Sequence, residues 1–309
     1  MNRPSIYRKP DSGSILVVCL WTIMILSILG LGITGLVFQE IRFSKTYFRL
    51  VTSLPLAQGA LKTVFYLREK DATSAYDTWD ELTKEEEVSL CANNSYRYFF
   101  VDKNDSSDKA EIIDESALIN LNLASTDLLA RLPGMDKDLA ESIVNSGLRP
   151  FSTINEVLLV KEFPKEAFLR FKDLITVYGV GKININTASK AVLIALGLDE
   201  EVVDLILRFR REHKIEPVVK EPAVKPDSES EVEPVYGISN LSTLLNDLRD
   251  FGSLSLRQEQ DLLVLLPALD VKSEYLRFNV ITSPSGQEGL HYSIVIYPPT
   301  KKVLSWTEY

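Results

Sequence analysis

Residues Ile15 to Phe38, ILVVCLWTIMILSILGLGITGLVF, are 24 consecutive positions without a charge, and about 20 apolar residues suffice to carry a helix across the hydrocarbon core of a bilayer. The pattern predicts a membrane-spanning helix. Arg3, Arg8 and Lys9 precede it against a single Asp11, so the positive-inside rule puts the N-terminus in the cytoplasm and everything after Phe38 on the other side. A cleaved secretory signal has an apolar core of about 7–15 residues and then a small-x-small cleavage site. Here the core is longer and runs into QEIRFSKTYFRL without such a site. Beyond the span, Ile41, Phe48, Val51, Leu54, Leu61 and Phe65 recur at spacings near three, four and seven, with Arg42, Lys45, Arg49 and Lys62 between them. This is the 3.6-residue period of an amphipathic helix. Pro55 removes one backbone hydrogen bond and crowds the preceding turn, which predicts a bend or weak point near Thr52–Pro55, and the helix is expected to fray by Lys70.

Past the helix the pattern becomes mixed. A polar stretch through Thr83-Lys84-Glu85-Glu86-Glu87 leads to Tyr96-Arg97-Tyr98-Phe99-Phe100-Val101, which is aromatic, partly alternating and strand-like. The turn-rich DKNDSSDK follows, and Ala110–Ile113 and Ala117–Leu121 are candidates to pair with that strand. The C-terminal end is also β in character: EYLRFNVIT over Glu274–Thr282 alternates, Ser283-Pro284-Ser285-Gly286 supplies turn residues, and His291–Tyr297 and Val303–Trp306 read as two further strands. Strands at both ends of a mainly helical middle predict an insertion. The expected class is α+β, with a long N-terminal helix packed on a small antiparallel sheet and an inserted all-α domain. The expected divisions are a polar leader over 1–13, a helix over 14–70 with 15–38 in the membrane, a β-containing head from 71–118 and 270–309, and the inserted helical domain over 119–269.

The middle contains an internal repeat. Ile119-Asn120-Leu121-Asn122-Leu123-Ala124-Ser125 recurs as Ile183-Asn184-Ile185-Asn186-Thr187-Ala188-Ser189, and Leu132-Pro133-Gly134-Met135-Asp136 aligns with Ala195-Leu196-Gly197-Leu198-Asp199. Each unit reads as an Asn-containing entry, a short helix, an apolar-Gly-apolar turn and a second helix. Further on, Phe151-Ser152-Thr153-Ile154 corresponds loosely to Tyr236-Gly237-Ile238-Ser239. Before that point the second copy carries EPVVKEPAVKPDSESEVEP, residues 216–234, with four prolines and six acids. Such a segment buries too little apolar surface to offset its ordering entropy, and a disordered insertion is expected over 215–235.

Composition narrows the chemistry. The chain has 34 Lys+Arg against 43 Asp+Glu, a formal charge of −9, two Cys and two His among 309 residues. That balance opposes broad phosphate neutralisation of a nucleic acid. Two cysteines, one in the span and one outside it, make neither a disulfide scaffold nor a four-ligand zinc site. Neither His213 nor His291 sits in a cluster at metal or catalytic spacing, so no catalytic residue is assigned. Gly179-Val180-Gly181-Lys182 lacks the spacing and following Ser/Thr of a phosphate loop and reads as a turn. Asp102, Asn104, Asp105 and Asp108 match half of a calcium loop, to which Asp114-Glu115 could add ligands, but Ser107 and Ile113 stand where an EF-hand needs Gly and a bidentate Glu.

The border of the span carries a resemblance. Gly13 ends the basic leader and the uncharged run starts at Ser14-Ile15-Leu16-Val17-Val18, which resembles the class III leader of type IV pilins and type II secretion pseudopilins. The resemblance implies that a prepilin peptidase cuts after Gly13 and methylates the new N-terminus at Ser14, while the apolar helix stays attached. Most members carry Glu at the fifth mature position, where this chain has Val18. The repeat units resemble helix-hairpin-helix modules, whose DNA-binding form presents Pro-Gly-apolar-Gly so that backbone N–H groups meet a phosphate. At the two turns, Gly134 and Gly197 are retained while Asp136 and Asp199 replace the second Gly. A carboxylate there caps the helix and repels the phosphate, which makes nucleic acid an improbable partner.

Together with that leader, the DE-x-x-L-I-N-L-N-x-A segment from Asp114 to Ala124, LITVYGVGKININTA from Leu174 to Ala188, and VKSEYLRF followed by VLSW resemble the general secretion protein K family, the large minor pseudopilins of the type II secretion system. The resemblance covers nearly the whole chain. It implies a single-pass inner-membrane protein with a periplasmic head, at the tip of the pseudopilus that drives folded proteins across the outer membrane. Implied partners are two smaller pilin-like minor pseudopilins, the major pseudopilin and the prepilin peptidase as processing enzyme. Calcium, part of the family's description, is the only cofactor implied. Val18 gives this a physical basis: without the Glu, the subunit cannot offset the buried amine of one already above it, although it can be first. The alternative is a membrane-anchored helix-hairpin-helix DNA receptor of the competence type, which would share the Asn-Ala-Ser and hairpin elements.

Overall fold

The computed structural model describes residues 12–71, 75–78, 86–90, 94–99, 101–102, 111–112, 114–215, 234–286 and 289–308. Helix α1 spans Ser12–Glu69 and runs through Pro55 without interruption. The chain divides into two compact units, Met1–Leu54 and Pro55–Tyr309, so the missing Pro55 N–H falls at the boundary. In the first unit, one helix is long and apolar enough to cross a membrane, and its most apolar stretch has no buried residue. Such a surface is compatible with single-pass anchoring.

In the second unit, strands β1 (Glu86–Ser89) and β2 (Ser95–Phe99) join three strands from the end of the chain, β11 (Leu276–Ser283), β12 (His291–Tyr297) and β13 (Lys302–Glu308). The sheet is antiparallel throughout, in the order β1-β2-β11-β12-β13. Alternation selects its buried face: Leu276, Phe278 and Val280 lie opposite Ile296, Ile294 and Tyr292. Leu56, Ala57, Ala60 and Val64 of α1 complete this cluster with Tyr96 and Tyr98. Small residues let the helix approach closely. A Cβ on Gly59 would stand 3.2 Å from the Tyr96 ring, and Tyr96 Oη is 2.8 Å from Thr63 Oγ1.

Between β2 and β11, the short pair β3 (Val101–Asp102) and β4 (Glu111–Ile112) leads into the helical domain. The expectation that Ala117–Leu121 joins the aromatic strand is corrected here. Its strand β5 (Ile119–Asn120) pairs in parallel with β6 (Ile175–Thr176) instead, because its neighbours Ala117, Leu121 and Ala124 are claimed by the helical core.

The repeat is visible as two modules sharing that core. The first runs from β5 through α2 (Thr126–Leu129), α3 (Lys137–Val144) and α4 (Lys165–Phe171) to β6. The second runs from β7 (Ile183–Asn184) through α5 (Lys190–Leu196) and α6 (Glu200–Glu212), crosses the small antiparallel pair β8 (Lys214–Ile215) and β9 (Val235–Tyr236), and continues through α7 (Leu244–Phe251) and α8 (Leu256–Leu265) to β10 (Leu269–Asp270). Its first and last strands, β7 and β10, pair in parallel just as β5 and β6 do. Most of the Pro/Glu-rich insertion, 216–233, lies outside the described residues, and the β8–β9 pair brackets it.

One side chain explains why each module keeps its second Asn. Asn122 Nδ2 donates to Phe151 O at 3.0 Å and its Oδ1 accepts from Phe151 N at 2.7 Å. Asn186 repeats the clamp on Ile238, at 2.8 Å in both directions. Only an amide offers a donor and an acceptor side by side, imitating a strand edge. The clamp aligns Phe151 with Ile238, two residues beyond the Tyr236 suggested by sequence. The first Asn of each pair holds its partner, accepting from Asn122 N at 2.8 Å in one module and from Asn186 N at 2.9 Å in the other.

An arginine closes each entry turn from a different place. Arg149, in the loop after α3, reaches Ala124 O at 3.1 Å, and Arg210 of α6 reaches Ile185 O at 2.9 Å and Ala188 O at 2.7 Å. Burial lowers the pKa of both, that of Arg210 to about 10, so Arg210 stays charged at neutral pH. Arg210→Ala leaves two carbonyls and a side-chain volume unfilled, and a loss of about 2–4 kcal/mol is expected in urea unfolding.

Candidate functional site

The feature that joins the modules to the sheet is the turn Asp114-Glu115-Ser116. Asp114 is buried. Its Oδ1 accepts from Ser116 N at 2.8 Å, and its Oδ2 accepts from Thr187 Oγ1 at 2.6 Å and from Ser273 Oγ. Asn184 Nδ2 donates to Ser273 Oγ at 2.8 Å, and Ser273 N donates to Asp77 Oδ2 at 2.7 Å. Asp77 is ion-paired with Arg68 near the end of α1. Glu115, also buried, accepts from Thr176 Oγ1 and pairs with Arg277 of β11, while Ser116 Oγ accepts from Tyr275 N at 2.9 Å. One tripeptide thus ties both modules and the segment entering β11 together, and through Ser273 and Asp77 reaches the end of α1. Burial pushes the Asp114 carboxyl up to about 6 against the lowering effect of its three donors, and burial also raises Asp77 despite Arg68.

Asp114 and Glu115, which could have added ligands to the calcium-loop residues, are both engaged by internal partners. Of the four loop residues, Asp102 lies in β3, whereas Asn104, Asp105 and Asp108 fall outside the described residues. Among the described residues, no group of three or more His, Cys, Asp and Glu is placed to hold a metal ion. His213 stacks on Phe209 with ring centroids 4.4 Å apart, and His291 starts β12.

At the hairpins the acids cap their helices. Asp136 Oδ1 accepts from Leu139 N at 2.8 Å at the start of α3, and Asp199 Oδ1 accepts from Glu201 N at 2.9 Å at the start of α6. An incoming phosphate would need those same N–H groups. Both turn glycines have positive φ, +78° at Gly134 and +109° at Gly197, and each is overlaid by an arginine. A Cβ on Gly134 would meet Arg170 Cδ at 2.8 Å, and one on Gly197 would collide with Arg131 Nη1. Arg131 belongs to the first hairpin and donates to Leu196 O at 3.0 Å in the second, so it couples the two. Gly197→Ala is therefore expected to cost about 1–2 kcal/mol from the left-handed backbone alone, read as a lower urea midpoint with unchanged m-value. Gly179 and Gly181, with φ of +92° and +84°, form the turn between the modules, as the failed phosphate-loop spacing implies.

At the other end of the chain, Gly13 and Ser14 lie in the first turn of α1. Val18 is 59% exposed on the apolar helix.

Against known proteins, a helix-hairpin-helix motif model matches residues 114–176, the first module with its Asp114 turn. No curated protein sequence matches the chain. A chain of the GspK-GspI-GspJ complex from the type 2 secretion system of enterotoxigenic Escherichia coli superposes with a TM-score of 0.54 at 15% identity, covering 87% of this chain and 99% of that one. The two share a fold. The likeness therefore extends well beyond the motif.

Two groups of residues went unrecognised in the sequence. Ser273 and Thr187 sit inside quoted motifs, but nothing local shows that a carboxylate 159 or 73 positions away needs their hydroxyls. Arg131 and Arg170 look like ordinary surface cations until the hairpins are folded. The one available signal was the acid pair Asp114-Glu115 set directly before the apolar Ala117–Leu121 run, an expensive place to put charge without partners.

Proposed function

We propose that this chain is a minor pseudopilin of a type II secretion system, of the large K type, which starts or caps the pseudopilus at its tip. The observation that carries this reading is the fold: an apolar N-terminal helix whose C-terminal part, from Leu56, packs on an antiparallel sheet interrupted by tandem hairpin modules, shared across nearly the full length of a chain from a GspK-GspI-GspJ complex. The partners are two smaller pilin-like subunits, with the major pseudopilin below them and a prepilin peptidase processing the chain after Gly13. The N-terminus is cytoplasmic and the head periplasmic. The role is mechanical, with no catalytic step. Val18 supports a place at the tip, since a neutral side chain at that depth has no amine above it to offset.

Co-expression of the full chain with candidate smaller pseudopilins is the test. The expected outcome is a stable complex together with loss of the 13-residue leader, read by mass spectrometry. Duplex DNA binding that weakens steeply with salt, with no such complex, would instead favour a receptor. The acidic caps and the arginines lying over both turn glycines weigh against that outcome.

A further inference from the structure

The segment following the membrane span carries a second feature. Within Gln39–Leu54 the charges are Arg42, Lys45 and Arg49 against Glu40 alone. At about 100° per residue, the three cations fall within about 60° of arc on one side of α1. Phe43, Tyr47, Leu50 and Leu54 occupy another side. Phe43 and Tyr47 are 67% and 62% exposed, and their rings stack at 6.3 Å. Arg42 and Lys45 are exposed and have no ion-pair partner among the described residues.

Position decides what such a face would meet. Phe38 ends the uncharged run, and a rise of 1.5 Å per residue puts Arg42 about 6 Å and Lys45 about 10 Å beyond it. The headgroup layer adds roughly 5–7 Å on each side of the hydrocarbon core, and long cationic side chains lean back toward it. Aromatic residues at the same depth are the usual companions of a membrane interface. We infer that Arg42 and Lys45 form an anionic-phospholipid contact, with the lipid phosphate as ligand, that sets the depth of α1 in the bilayer. This rests on the single-pass membrane reading.

The test uses the full chain in vesicles of phosphatidylcholine with or without phosphatidylglycerol. Lipid retained after extraction into an uncharged detergent is identified by native mass spectrometry. The unsubstituted chain is expected to retain phosphatidylglycerol preferentially. The preference falls about fivefold for each cation removed in R42Q/K45Q and is kept in R42K/K45R. Unchanged retention in R42Q/K45Q overturns the inference, as does a variant that keeps its lipid and loses an acidic pilin-like partner, which would assign the face to protein. Carbonate extraction of the same membranes separates the two levels. A resistant chain without lipid preference sinks the headgroup contact alone, and an extractable chain sinks the membrane reading with it.

Discussion

A head that begins at Asp71 is expected to be insoluble or to bind hydrophobic dye, whereas one that begins at Pro55 folds with a cooperative melt. The residues between are the C-terminal part of α1, which serves as the cover of the sheet rather than as a stalk. Leu56, Ala57, Ala60 and Val64 lie in the same cluster as Tyr96, Tyr98, Phe278, Val280, Tyr292 and Ile294. Burying Leu56 and Val64 alone contributes on the order of 3–6 kcal/mol, a large part of the total of about 5–15 kcal/mol that holds a domain together. Without the helix the apolar face of a five-stranded sheet is left bare, a surface that drives association. The shorter head also loses Arg68, leaving Asp77 buried without its cation. Far-UV circular dichroism, dye binding and thermal melts of the two heads decide the matter, and a soluble chain from Asp71 with a native-like melt would refute the packing argument.

Asp114→Asn is expected to raise stability at neutral pH and to flatten its pH dependence. The Asp114 carboxyl has a folded pKa of about 6 against an ordinary 3.8, so the folded state binds the proton more tightly than the unfolded one. The resulting stabilisation is complete below about pH 3.8, declines between about 3.8 and 6, and is gone above that range. The shift corresponds to about 3 kcal/mol. An amide needs no proton, keeps an acceptor for Ser116 N, and offers a donor to hydroxyls that can rotate to accept. Asp114→Ala tests the other side, because it leaves Thr187, Ser273 and Ser116 N–H without their acceptor in a buried site, at about 1–3 kcal/mol. Urea unfolding of both variants between pH 4.5 and 7.5 provides the measurement. Asp114→Asn curves parallel to those of the unsubstituted chain would show that the carboxylate is better solvated than its burial indicates.

The repeat and the span show how far local pattern reaches. Ile15–Phe38 is legible because a bilayer demands only length and apolarity, both written consecutively. The Asn-x-Asn entry turns and the Asp caps are legible because a helix start uses neighbours within four residues. At Pro55 the helix continues, since one missing hydrogen bond is tolerable where the flanking turns remain intact, and the two compact units divide at the same residue.

What sequence alone determined here was the kind of each element: a long apolar helix, strands at both ends of a helical middle, a duplicated unit, and hairpins whose acids take the place of a phosphate. Only the tertiary structure decided which strand completes which sheet, which residues of α1 lie against it, and that Asp114 holds the parts together. Pairing partners such as Ile119 with Ile175, Asn186 with Ile238 and Asp114 with Ser273 stand 52 to 159 residues apart. Nothing in a local window favours one such partner over another. The choice is made by burial, which penalises every unpaired donor and carboxylate until the one arrangement that satisfies them is reached.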